Sequence, residues 1–544
     1  MMNGLCSVRI SAPRPVHVVL RSGMPVSGRE IAVCLPVDLG KSGGKIRPIV
    51  AVRNTEGIHL KFEGDEESFP CNNLKDTFVL DESGLNSGIA SALSRASGQF
   101  DPSIPRIITV DTVGAGFKIV NSDGTVHTPL TDYLHPQAQS GMNMAAALTR
   151  GGRQEALRQI ALATAGQSGV GVYNLYHLIG IEAEKGIPAD STIIDLPAVI
   201  RTALCGRAES ESSFVRVSLC GNTSATGWSE ELLKRFNIPV SAFPAIVPTA
   251  EDLGPVLPSV LEEMNCEKAS VVAAAEHDTA GAIAGLRMCS SPEDLCFSTG
   301  TWNIGAMGIE PSDMTPDFIE ALFKDNLGIE GATGAAFAAG NVKGGMLVES
   351  FKADLGWPEH EVFNLLSRGI EGDQSFGLVD VMSQRFGYEQ GGPVMKPVNQ
   401  FLWDTGQRIV EEPHFLAATI FVGMVMGMAD RIEQFAAKMQ LLGREPGSIQ
   451  VGGGLGLGNN HMMQALADVT GLPVRLRFKR MSGLGNAALA LIGAGLATKE
   501  EMQYALEEAS SPIQLKPDPA GFSNWRPVRM YYQGIQRRIN GEGA

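Results

Sequence analysis

None of the eight cysteines (Cys6, Cys34, Cys71, Cys205, Cys220, Cys266, Cys289, Cys296) pairs with another at CxxC spacing, and no histidine stands at zinc-ligand spacing from them. Zinc fingers and redox loops are thereby excluded, and scattered thiols on a chain of this length read as reduced, buried hydrophobes. A basic excess is lacking too: 44 Lys and Arg against 59 Asp and Glu leave a net charge of −15. That balance excludes a nucleic-acid scaffold and an anionic membrane as partners. The N-terminus carries Arg9, Pro13, Arg14 and Pro15 but no apolar core of signal-peptide length. The longest apolar stretch, residues 415–429, is shorter than the roughly 18 to 20 residues that cross a bilayer, and Asp430 and Arg431 close it. These absences together predict a soluble cytoplasmic protein.

What the chain has in excess is glycine, 63 of 544 residues or about 12%, against a usual share of about 7%. With 44% hydrophobic and 19% charged residues the composition is ordinary for globular proteins. The length allows two to four domains with filled cores. Residues 1–28 are irregular and proline-bearing and read as a loosely attached extension. From Glu30 the pattern turns to strand: residues 31–37 are apolar and end in Asp38-Leu39-Gly40, with Pro36 an awkward residue for a central strand. Residues 49–53 and 58–62 read as a hairpin around Asn54, Glu56 and Gly57. A helix over 85–97 precedes a strand at 106–110, and Asn121-Ser122-Asp123-Gly124 turns between strands at 117–120 and 125–127.

Residues 154–235 read mostly as helix, with a second amphipathic stretch over 194–205. A new strand-led cycle opens near residue 268 with the run 269–275, and further strands are predicted at 296–301, 448–452 and 473–478. The methionine-rich run 421–428 has the spacing of a helix core within 415–442, although a ligand pocket is the other reading.

Four glycine-bearing turns follow strands. Residues 38–45, Asp-Leu-Gly-Lys-Ser-Gly-Gly-Lys, read either as a plain hairpin turn or as a loop whose N–H groups approach phosphate, with Asp38 placed to hold a hydrated Mg²⁺. No Walker A register fits it. His277-Asp278-Thr279-Ala280 opens a small-residue helix; its Asp is either an N-cap or a base that accepts a proton from a substrate hydroxyl. His277 beside it reads as a hydrogen-bonding neighbour or a second participant. The third turn is Ser298-Thr299-Gly300-Thr301-Trp302-Asn303, where Trp302 and Asn303 line a cleft or pack behind it. The fourth, 451–460, holds three consecutive glycines, which make sense where backbone lies flat against a ligand. Gly483-Leu484-Gly485-Asn486-Ala487-Ala488 fits a loose GxGxxA dinucleotide pattern without the following acidic partner.

Taken in order, these elements resemble the FGGY carbohydrate kinases of the actin-like ATPase superfamily, the rhamnulokinase branch above all, over roughly residues 30–520. Asp38, Gly40, Ser42 and Gly44 match the family's phosphate loop, with Lys45 at its Arg position, and residues 111–117 look like its DTWGVDF segment. Residues 277–280 match its HDTA, 298–302 its SSGTW, 341–345 the segment before a long helix, and 451–454 with Asn459 and 467–474 its adenosine loop and helix. The resemblance implies an α/β fold of two actin-like (ribonuclease H-like) domains, each a mixed five-stranded sheet flanked by helices, with a cleft between them. The implied layout is an extension at 1–28, an N-terminal domain at 29–267, a C-terminal domain at 268–510 and a tail at 511–544. It further implies ATP and Mg²⁺ as cofactors, a small sugar as substrate, and a monomer or homodimer.

On this likeness Asp278 is the catalytic base. Asp38, Gly40, Ser42, Gly44, Lys45, Gly300, Thr301, Gly452, Gly453, Gly454 and Asn459 bind ATP, Asp38 also orienting the metal. Asp111, His277, Asp278 and Asn341 face the sugar. The sequence departs from the family at Val113 and Gly116, and the sugar-holding YRDxRT segment is not visible near residues 131–134. A catalytically silent sensor and an actin-like ATPase on the same fold are the alternative readings.

Overall fold

The apolar run after Glu30 becomes the centre of a twelve-residue strand, Arg29–Gly40, buried along most of its length. The computed structural model describes residues 6–10, 28–40, 43–74, 77–300, 302–332, 335–356, 358, 361, 365, 372–381, 394–409, 412–478, 480–510 and 513–539. Pro36 falls between Cys34, the last residue paired with Ile49–Arg53, and Val37, the first paired with Gly43–Ile46. The proline thus sits where this edge passes from one partner to the next, and no bond of that ladder is lost.

Arg29–Gly40 organises the first of two mixed sheets. Its other edge pairs in parallel with Arg106–Thr112, which pairs in parallel with Ala269–Ala273, and Glu251–Pro255 closes that side antiparallel. The strand expected to open the second cycle, Ala269–Ala273, therefore completes the first sheet. The second sheet runs in the order Gly328–Ala332, Ala335–Lys343, Trp302–Gly308, Leu295–Thr299, Ile449–Gly452, Val474–Leu476, Ile513–Leu515.

The α/β architecture of two principal sheets flanked by helices matches the expectation, but among the described residues these sheets hold eight and seven strands instead of five each, with three small sheets of two or three strands beside them. Local hairpins such as Ile49–Arg53 with Ile58–Phe62, and edge strands such as Ile513–Leu515, enlarge them. Pairing across such separations leaves no trace in local sequence pattern. Ile194, expected in a helix, belongs to the strand Thr192–Asp195; Asp195 then caps the helix Leu196–Cys205 by accepting from the Ala198 N–H at 2.9 Å, with Pro197 in the first turn.

Two described segments near the ends of the sequence are held by the C-terminal half. Cys6–Ile10 pairs antiparallel with Gly372–Phe376. The final helix, Pro519–Ile539, buries Trp525, Val528, Tyr532 and Ile535 in the C-terminal core, so this segment packs as part of that half. The methionine-rich helix Pro413–Leu441 is longer than the apolar stretch inside it and passes a membrane-span test on length and composition, yet 89% of its most apolar window is buried within the protein. Its methionines are core, as the helical spacing predicts.

The sheets are bridged by helices Asp278–Met288 and Met481–Gly493, whose contact is built from glycine. A Cβ placed on Gly485 would overlap the Gly281 carbonyl oxygen, one on Gly281 would stand 2.8 Å from Asn486 Oδ1, and one on Gly285 2.7 Å from the Met481 methyl. The loose GxGxxA pattern is therefore a helix-packing face. Gly485→Ala is expected to destabilise the fold by about 1–3 kcal/mol through this overlap. Urea unfolding should show a lower midpoint at unchanged slope.

Candidate active site

Parallel register sets Asp38 directly beside Asp111, and the antiparallel turn that follows sets Lys45 opposite Asp38. The Lys45 ammonium lies 3.5 Å from the Asp38 carboxylate. Asp111 is fully buried; Asn486 Nδ2 donates to its Oδ2 at 2.7 Å, and its Oδ1 has no hydrogen-bond partner among the described residues. Asp278 is the first residue of helix Asp278–Met288, and its Oδ1 accepts from the Thr279 N–H at 2.5 Å and the Thr279 hydroxyl at 3.1 Å.

Loss of bulk water is the foremost cause that pushes all three carboxyls above the usual carboxylate range, for Asp38 and Asp111 within the sheet and for Asp278 inside the cleft onto which its side chain opens. Asp38 and Asp278 raise Asp111 further, while Lys45 pulls Asp38 and Asp278 down. Among the described residues no group of three or more His, Cys, Asp or Glu is arranged to hold a metal by itself.

These groups meet at a cavity of about 430 Å³ between the two sheets. One wall is formed by backbone turns with Asp38, Gly40, Lys45, Gly300, Gly453 and Gly454. Two of these turns are locked together: the Thr299 hydroxyl donates to the Gly452 carbonyl at 2.8 Å and accepts from the Gly456 N–H at 2.9 Å. Gly453 has φ +103°, and a Cβ there would overlap the Thr299 backbone. The triple glycine thus serves the joining of two turns as well as the cavity wall.

Val113, Val170, Val172 and Val217 line the cavity as well, together with Tyr133 and Tyr173. His277 stands between two carboxylates: Nε2 is 3.4 Å from Asp278 Oδ1, and Nδ1 is 3.5 Å from Glu330 Oε2. Burial lowers the His277 pKa, which favours a neutral ring; the Glu330 charge opposes that shift.

Of the residues expected at the site, Asp38, Gly40, Lys45, His277, Asp278, Gly300, Asn341, Gly453 and Gly454 line the cavity. Ser42 and Thr301 lie outside the described residues. Four others stand off the wall. Gly44 faces the Phe69 ring, Gly452 faces the Met481 side chain, and Asp111 is buried behind Asp38. Asn459 is buried and caps helix Asn460–Thr470 through the Met462 N–H at 3.1 Å. Gly281 belongs to the helix contact. Val113 lines the cavity, whereas Gly116, at φ +121°, turns the chain against the Thr131 carbonyl. Trp302 lines the cavity and Asn303 packs behind it.

The sequence reading missed Glu330, Tyr133, Tyr173 and Asn486. Tyr133 sits where the family's sugar-holding segment was sought, and Asn486 lies inside the GxGxxA pattern; Glu330 carries no local signal.

Beneath the loop lies a buried ion pair. Arg201 Nε is 2.5 Å from Glu276 Oε1 with both side chains fully buried, and Arg201 Nη2 donates to Oε2 at 3.2 Å. The Glu276 N–H donates to Glu211 Oε2 at 3.2 Å, and its carbonyl accepts from the Thr112 N–H at 2.9 Å. Asp278 is two residues further on, so this network fixes its approach.

Residues 393–494 match the profile described as the C-terminal domain of the FGGY family of carbohydrate kinases. The chain is 25% identical over 394 residues to a rhamnulokinase of Enterococcus faecalis, covering 71% of this chain and 75% of that protein. It is 21% identical over 436 residues to a rhamnulokinase of Bacteroides thetaiotaomicron, covering 79% and 85%. In fold it is similar to a ligand-bound xylulose kinase from Lactobacillus acidophilus, with a TM-score of 0.70 at 13% identity over 94% of this chain and 98% of that one. It is likewise similar to Plasmodium falciparum glycerol kinase with ADP, with a TM-score of 0.67 at 12% identity over 93% and 98%. Over residues 393–494 the chain thus carries the likeness of an FGGY carbohydrate kinase C-terminal domain, and over most of its length it is similar to rhamnulokinases. An ATP-dependent sugar kinase is the activity these likenesses support.

Replacing Arg201 by Met leaves Glu276 buried without its partner, which is expected to destabilise the fold by about 3–5 kcal/mol. Burial already raises the Glu276 pKa well above its ordinary value, with Arg201 opposing the shift. The variant carboxyl therefore takes up a proton more readily, and the deficit against wild type should shrink as pH falls. Urea titrations at two pH values measure this.

Proposed function

We propose that this kinase transfers the γ-phosphoryl group of ATP to a hydroxyl of a small ketose or deoxyketose, rhamnulose-like in shape, with Asp278 as general base. The observation that carries the reading is the placement of Asp278. Its side chain, 41% exposed, opens onto the cavity at a helix N-terminus, opposite the turns at Gly40, Gly300 and Gly453 and beside Lys45. Phosphoryl transfer asks the protein mainly for positioning and charge neutralisation. Backbone N–H groups of the turns and the Lys45 ammonium face phosphate oxygens, and the Gly453 to Gly454 backbone faces adenosine. Asp278 accepts the proton of the attacking hydroxyl.

The residues present fit Mg²⁺ as well. Asp38 and the orphaned Oδ1 of Asp111 are carboxylate oxygens whose mutual repulsion a divalent cation relieves, and Mg²⁺ is usually held by one or two carboxylates plus water and phosphate. When bound, the ion would neutralise charge on the β- and γ-phosphates. The four valines of the lining suit an acceptor with an apolar edge, such as the methyl group of a deoxysugar, better than one hydroxylated all round.

An ADP-coupled assay over ketoses, deoxyketoses and polyols tests this reading. Sugar-stimulated turnover is expected; binding without turnover would favour a sensor, and sugar-independent hydrolysis an actin-like ATPase. Asp278→Asn should lower kcat by about 10²- to 10⁴-fold. Protonation removes the base, and its raised pKa places the acid limb of kcat/KM above the ordinary aspartate range. A near wild-type rate in Asp278→Asn would overturn the assignment.

A further inference from the structure

Glu330 is the charged group at the acceptor end that the phosphate-transfer chemistry leaves unused. It lies on the edge strand Gly328–Ala332 of the C-terminal sheet, is 4% exposed, and lines the same cavity as Asp278. Its Oε2 has no hydrogen-bond partner among the described residues, and His277 Nδ1, at 3.5 Å, is likewise without one. The valines of the cavity offer no side-chain donor, and the hydroxyls of Tyr133 and Tyr173 in the same lining form no hydrogen bond to this Glu330 oxygen among the described residues. A buried carboxylate oxygen in such surroundings has a large unmet demand for an O–H or N–H donor.

The strand that carries Glu330 is held from the other half of the molecule. On one side of it the Ile329 N–H donates to the Ala165 carbonyl at 2.7 Å, and on the other Arg216 Nε donates to the Gly331 carbonyl at 3.2 Å. Both neighbours of Glu330 are therefore pinned to the N-terminal half, and the carboxylate is presented to the cavity at the junction of the two halves, behind the ring that touches Asp278.

On the reading of this cavity as a sugar-kinase site, we propose that Glu330, together with His277, accepts a hydrogen bond from a second hydroxyl of the acceptor, adjacent to the one facing Asp278, and so selects acceptors that carry a vicinal diol. The valines take the opposite, apolar edge. A site whose buried polar group is built to bind a hydroxyl discriminates strongly against the analogue lacking it, because that group is then left unpaired.

The test uses the full-length protein with Glu330→Gln, which keeps the shape, and Glu330→Asp, which keeps the charge and withdraws it. Acceptor binding is measured by calorimetry, and kcat and KM by the ADP-coupled assay, for the best sugar of the panel and for each of its monodeoxy analogues. Thermal melting establishes that each variant folds. Glu330→Gln is expected to weaken acceptor binding and raise acceptor KM about tenfold or more, and to erase most of the discrimination against one particular monodeoxy analogue. Glu330→Asp should recover part of both. If a folded variant of either kind keeps acceptor affinity and the full discrimination pattern within about twofold, or loses affinity equally for every analogue, the proposal is overturned. Absence of sugar-stimulated turnover in the wild type would instead count against the kinase reading, and calorimetry would still report on Glu330.

Discussion

Two parallel strands in register place Asp38 beside Asp111, and the helix that begins at Asp278 brings a third carboxylate to the same place. Poor solvation raises the pKa of each, and like charge adds to it at Asp111, which feels Asp38 and Asp278, and at Asp38, which feels Asp278. The cavity is built around that constraint. Lys45 offsets part of the charge from across the hairpin, and Asn486 donates to the most deeply buried member. Asn486 reaches Asp111 because its helix lies against the Asp278 helix at glycine distance. The helix crossing and the carboxylate cluster thus depend on one another, and a nucleotide with its divalent cation is the kind of ligand such a cluster accommodates.

Glycine performs two distinct jobs in this fold. At Gly281, Gly285 and Gly485 its absent side chain lets two helices approach between the sheets. At Gly453 a positive φ and contact with the Thr299 backbone join two strand-end turns into one wall, which leaves Gly300, Gly453 and Gly454 on the cavity surface. The buried Arg201 and Glu276 pair then stiffens the segment leading to Asp278. A loop with its neighbouring residue anchored in this way offers its carboxylate in one orientation, which is what proton transfer from a positioned hydroxyl requires.

The four valines of the cavity come from residues 113–217 of the N-terminal half, and Glu330 comes from the far edge of the C-terminal sheet. The two halves meet there through hydrogen bonds to the Ala165 and Gly331 carbonyls. A ligand in the cavity is consequently met by both halves.

The turns at residues 38–45, 277–280, 298–302 and 451–454 were legible because glycine and small polar residues gather where a strand must end and turn, and such needs are local. The alternation of strands and helices, the core helix rich in methionine and the family were legible for the same reason: each is written in short-range spacing. Tertiary structure alone decided the rest. Whether a glycine lines a cavity or lets helices touch depends on what stands opposite it. Asn459, expected at the adenosine loop, caps a helix instead, and Gly281 serves helix packing. That Ala269–Ala273 completes the first sheet, that Asn486 holds Asp111 and that Glu330 enters the cavity depend on partners tens to hundreds of residues away. Local pattern carries no record of such partners, since the free energy that selects them arises only when both are buried together.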